Sequence, residues 1–149
     1  MEIVIYAIVT VRILRKKQMM RDYNPTKGLY ILPNNLWRQT IFLIRDYYRL
    51  KTEYNDRINE GMSPGSETTG GKTNRTGDPT GVKAIKLSSI AERIRAVEKA
   101  KAVVPYEYMD GVWKHIMYRS RFPGDAARQT YTRWQQRFVY EVAKNMHWI

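Results

Sequence analysis

NNLWRQTIFLIRDYYRLKTEYNDRINE, residues 34–60, is the stretch whose reading decides the fold. Its apolar residues recur at helical spacing. Trp37, Ile41, Ile44 and Tyr48 form one strip, and Leu36, Leu43, Tyr47, Leu50 and Tyr54 lie beside it. A stripe that broad belongs to a helix buried against other helices. Pro33-Asn34-Asn35 supplies the start, with Asn as N-cap, and Gly61 the stop. The pattern predicts one long helix from Leu36 to about Ile58.

The following residues, 61–81, hold six of the nine glycines, two prolines and no large apolar side chain except Met62. With so little to bury, they are expected to form a mobile loop. Gly70-Gly71-Lys72-Thr73 hints at a phosphate loop, but Ser66 stands where the first glycine is needed and no hydrophobic strand precedes it. ATP binding is excluded on that ground. Asp78-Pro79-Thr80 closes the loop and caps a second helix, 82–104, with Leu87, Ile90, Ile94 and Val97 along one seam. Its expected course is antiparallel to the first helix. Two heptads are too few to require a coiled-coil dimer.

Pro105 opens a third helix in its first turn, with Met109, Val112, Trp113 and Ile116 inside. A break at Ser120–Gly124 follows. Asp125 is the expected N-cap of a final helix from Ala126 to about Met146, with Ala127, Tyr131, Trp134, Phe138 and Val142 on its inner stripe. The fold class is therefore all-α: an antiparallel helical hairpin plus a helix-turn-helix-like unit at 105–149. Residues 20–60 are the N-terminal segment and first helix.

Residues 1–19 do not join this scheme. The apolar run Ile3–Val11 is shorter than the ~20 residues that span a bilayer, so no integral membrane span is expected. Its basic residues follow the run, opposite to a signal peptide. We expect a peripheral or non-native extension, with translation starting at Met19 or Met20; a membrane-surface anchor and a short helix are the alternatives.

Charge points to the partner. Lys and Arg number 26 against 14 acids, a net charge of +12, which concentrates polyanions around the molecule. Without cysteine there is no disulfide, thiolate zinc site or thiol nucleophile. The two histidines, His115 and His147, sit in no metal-binding spacing, so neither metal nor cofactor is expected and the chain is not read as an enzyme. His115 is expected beside the core, and His147 with Trp148 over the end of the bundle.

Opposite the inner stripe of the last helix lie Arg128, Gln129, Thr132, Arg133, Gln136 and Arg137, with Gln135 at the edge. Arg forks onto guanine, Gln pairs with adenine and Thr meets thymine, and the N-terminal half of a helix is what a major groove admits. Arg119 and Arg121 are placed to hold phosphates. The competing reading is plain: Arg and Gln are good helix formers on any exposed face. The preceding turn also departs from the three to four residues usual in a helix-turn-helix. RNA fits less well, since its common platforms are sheets with exposed aromatics.

GDPTGVKAIKL (77–87), VPYEYMDGVWKHIMYR (104–119) and TYTRWQQRFVYEVAKNMHWI (130–149) resemble small phage and prophage proteins of Firmicutes, similar to late-gene transcriptional activators of the RinA/ArpU type. The resemblance covers roughly residues 20–149. It implies a sigma-region-four-like helical DNA binder in the bacterial cytoplasm, with Arg128, Thr130, Thr132, Arg133, Gln136 and Arg137 at the DNA. The expected function is a sequence-specific duplex-DNA-binding transcriptional regulator. The alternative is a structural or packaging-associated phage protein that binds DNA without sequence preference. Host RNA polymerase and a second copy of the chain are further partners left open.

Overall fold

The computed structural model describes residues 25–62 and 79–149. The readings made for residues 1–19 and for most of the loop 61–81, Asp78 included, lie outside these. Five helices account for the regular structure of the described residues: α1 (Asn34–Arg45), α2 (Tyr47–Met62), α3 (Pro79–Lys101), α4 (Tyr106–Tyr118) and α5 (Arg128–Asn145). No strand is present among them, so the fold is all-α.

The single long helix expected from Leu36 to Ile58 is two, α1 and α2, parted at Asp46. The interruption is slight. Asp46 N–H still donates to Phe42 O and Leu50 N–H to Asp46 O, both at 3.0 Å, so the helical ladder runs through. Nor does an Asn cap α1. Pro33 occupies that position in extended backbone (ψ 144°) with no side-chain cap bond, and its carbonyl accepts from Trp37 N–H at 2.9 Å. Pro105 plays the same part before α4 instead of lying in its first turn.

Helices α2 and α3 run antiparallel, as expected. Tyr47 donates to Glu98 at 2.9 Å, whereas Tyr54, two turns on, lies across from Ala91 and Ile94. At the end of α3, the Lys101 ammonium sits 3.4 Å from the Trp113 ring centroid and 4.6 Å from that of Tyr47. Burial pushes its pKa down; the two ring faces hold the cation there.

The core forms where all five helices meet. Trp37, Ile41, Ile44, Leu50, Ile90, Ile94, Val97, Val112, Trp113, Ile116, Tyr131, Phe138 and Val142 are all buried, matching the predicted stripes. Ala127, expected on the inner stripe, is instead exposed just before α5. Tyr48 departs from its strip as well. Its ring is half exposed, although its hydroxyl accepts from Trp113 Nε1 at 3.2 Å. Helix α5 is the hub, packing on α1, α3 and α4. Asn145 Nδ2 adds a bond to Ala96 O at 3.1 Å, and Arg45 Nε bonds Ile116 O at 2.9 Å near the end of α4.

One glycine permits the α4–α5 approach. A Cβ on Gly111 would stand 2.6 Å from Tyr131 Cε1 and 2.8 Å from Pro123 Cδ, closer than carbon atoms pack. Tyr131 is wholly buried and cannot step aside. The variant Gly111→Val is expected to lose about 2 kcal/mol by overpacking, a fall of roughly 4–8 °C in Tm by thermal denaturation.

Candidate nucleic-acid interface

The connection between α4 and α5, residues 119–127, contains no helix, so the C-terminal pair is joined by a loop longer than a helix-turn-helix turn. It is nonetheless tightly tied down. Arg119 ends α4 in the left-handed conformation (φ 55°). Phe122 stacks between His115 (4.0 Å) and Tyr131 (5.1 Å), and His115 Nδ1 lies 2.6 Å from Ser120 O. His115 is thus the satisfied residue beside the core that its position suggested. His147, by contrast, is exposed in left-handed backbone, and only Trp148 packs on the core.

Asp125 does not cap α5. The cap position belongs to Ala127, without a side-chain bond, and the helix begins at Arg128. The Asp125 carboxylate instead accepts from the buried Tyr131 hydroxyl at 2.7 Å. A connection held this way presents the first two turns of α5 outward: Arg128, Gln129 and Arg133 are exposed, and Thr130 and Thr132 are partly so. Thr132 turns its hydroxyl back to Arg128 O at 3.0 Å. Arg121 is exposed and Arg119 partly covered, next to this face in sequence.

The remaining predicted residues do not belong to that face. Gln136 is 6% exposed and Gln135 8%. Residues 25–33 cross this part of α5 as an irregular strap, and Gln136 Nε2 donates to Lys27 O at 3.2 Å. Gly28 carries φ +129°, a conformation suited to glycine, where the strap meets the Gln136 amide. Leu32, 1% exposed, anchors the strap's far end in the core. Gln136 therefore cannot read a base in this arrangement; it is a backbone clamp. Helical periodicity put it outside correctly with respect to the inner stripe, but could not foresee a chain segment more than a hundred residues earlier lying on it.

Arg137 is half-buried in the same place. Its guanidinium lies 5.5 Å from the Tyr30 ring centroid and 5.7 Å from that of Trp134, and its buried Nε has no hydrogen-bond partner. Tyr30 itself meets Tyr140 edge-on at 5.4 Å. Among the described residues, Arg128, Arg133 and Arg137 have no carboxylate partner. The acids that are paired lie elsewhere, as in the Arg49 and Arg57 contacts to Glu53. Leu29, Tyr30, Thr130, Arg133, Trp134 and Arg137 line a groove of about 460 Å³ between the strap and α5. Tyr30 was the residue no sequence signal singled out; only the fold brings it to Arg137.

No group of three or more metal-ligating side chains is found among the described residues. No helix there is long and apolar enough to cross a membrane. Comparison with protein-family models, with curated proteins and with solved structures finds no match.

The hydrogen bond to Asp125, reinforced by burial, pushes the Tyr131 pKa up to about 12. Since the folded value is raised above the ordinary 10, the neutral phenol stabilises the fold fully below about pH 10, and that contribution is lost as the pH climbs through about 12. Tyrosinate absorbance should rise in steps, with one tyrosine ionising last. In Asp125→Asn that last step should move toward lower pH.

Proposed function

We propose that this protein is a duplex-DNA-binding transcriptional regulator that places the first two turns of α5 against the major groove. The observation that carries the reading is the run of solvent-facing Arg128, Gln129 and Arg133 on the helix end, free of carboxylate partners among the described residues. Guanidinium groups without an internal counter-ion are available for phosphate oxygens or for the acceptor pair of guanine. Gln129 takes the adenine-reading role in place of the covered Gln136. Arg121, in the preceding loop, holds a phosphate, and Arg119 lies beside it. The net charge of +12 supplies the long-range attraction.

The finer role, a late-gene activator that also touches host RNA polymerase, rests on the resemblance of residues 77–87, 104–119 and 130–149 to that phage family. One observation favours the alternative of a structural or packaging-associated DNA binder. Exposed Lys83, Lys86, Arg93, Arg95 and Lys99 along α3 carry charge away from the reading face. Such scattered charge binds any duplex.

Selection of bound duplexes from a random pool, followed by footprinting, separates the two. A regulator should protect a discrete site and prefer it over random duplex by about 10³ or more. Arg128→Ala and Arg133→Ala should each weaken the specific complex by roughly 5- to 150-fold, the equivalent of one lost base or phosphate contact pair. Uniform protection of all duplexes, with affinity falling steeply with salt, would assign the chain to the alternative.

A further inference from the structure

The geometry points to a second nucleic-acid site: the groove between the strap (residues 28–30) and α5 binds one unpaired nucleotide, its phosphate on Arg133 and Arg137 and its base against Tyr30. This rests on the DNA-binding reading above and adds a strand state to it.

Four observations converge. The groove, about 460 Å³, is within the range of small-ligand pockets, roughly 300–1,000 Å³, and is sized for a single nucleotide rather than for the side of a double helix. Arg133 and Arg137 stand one helical turn apart on the same side of α5 and, among the described residues, neither faces a carboxylate. Arg137 has the Tyr30 and Trp134 ring centroids at 5.5 and 5.7 Å, so its guanidinium is oriented before any ligand arrives. A guanidinium ordered this way suits bidentate contact with a phosphate. Finally, Tyr30 lines the groove and Leu29 beside it is 91% exposed, which places an aromatic ring and an open apolar side chain where a base would lie. Cationic grooves with interleaved aromatics are how unpaired strands are bound without regard to sequence. A nucleotide paired within a duplex cannot turn its flat face to Tyr30, because its neighbours in the stack cover it.

The test compares the full-length protein on a blunt duplex, on the same duplex with a five-nucleotide single-stranded overhang, and on free nucleoside monophosphate. The readouts are fluorescence anisotropy and competition. The overhang should bind roughly tenfold tighter than the blunt duplex, about the gain expected of one stacked base. That gain should vanish in Tyr30→Ala and in Arg137→Met, which keeps an unbranched stem between the rings. It should persist in Arg128→Ala, which lies outside the groove. Unchanged melting temperatures of the two groove variants establish that they fold. Equal affinity for blunt and overhung duplex, or a gain that survives Tyr30→Ala, overturns the inference while leaving duplex binding intact. Binding of the overhang with no measurable affinity for blunt duplex would sink the duplex reading and support this one. Full competition by free monophosphate at the strand's own affinity would overturn the assignment to a nucleic-acid strand.

Discussion

Burial of one wide arc of α5 is the interaction on which the molecule depends. Tyr131, Phe138, Val139, Val142 and Ala143 are wholly inaccessible, spread over more than a narrow seam, and they meet α1, α3 and α4 at once. Each large apolar side chain removed from water contributes about 1.5–3 kcal/mol, and these sit where three other helices would otherwise lack a common partner. A helix in that position has little surface to spare. What remains exposed is Arg128, Gln129 and Arg133 in its first two turns and, toward its C-terminal end, Lys144.

That constraint explains the distribution of charge along α5. Where the helix emerges from the bundle, Arg128, Gln129 and Arg133 face solvent. One turn further in, Gln136 and Arg137 are still polar but already under the strap, and each is accommodated differently. The Gln136 amide finds a backbone carbonyl, the ordinary solution for a buried polar group. Arg137 rests between two rings, which offsets its desolvation through the ring faces but leaves its Nε–H without an acceptor. An unmet donor on a charged group is costly, and the residue that carries it lines a groove. The loop before α5 is held by the opposite device, a tightly partnered stack of His115, Phe122 and Tyr131 with Asp125 on the phenol. The exposed start of α5 is therefore flanked by a well-partnered loop on one side and by a strap of few buried residues on the other.

Much of the fold was legible in the linear chain. The strips of α1 and α2, the seam of α3 and the inner residues of α4 and α5 were identifiable from periodicity, Tyr48 and Ala127 excepted, because an amphipathic helix writes its buried side into its own sequence. Helix ends were less legible. Asn34 and Asp125 have the chemistry of N-caps, yet Pro33 and Ala127 hold those positions, since the Asp125 carboxylate is taken by a tyrosine six residues on. The interruption at Asp46 carries no breaker residue that would announce it.

The candidate site divides along the same line. The chain by itself determined that α5 would carry a basic, amide-rich side and that its start would follow a break, for these are properties of neighbours at helical spacing. Only the tertiary structure decided which of those side chains face water. The strap at 25–33 covers Gln136, sets Tyr30 against Arg137 and leaves Arg128, Gln129 and Arg133 open. The physical reason is range. Periodicity reports what a helix needs to bury on its own account, whereas the covering of a polar face depends on a segment far away in sequence, whose path is set by where Leu32 finds the core and where Gly28 can turn.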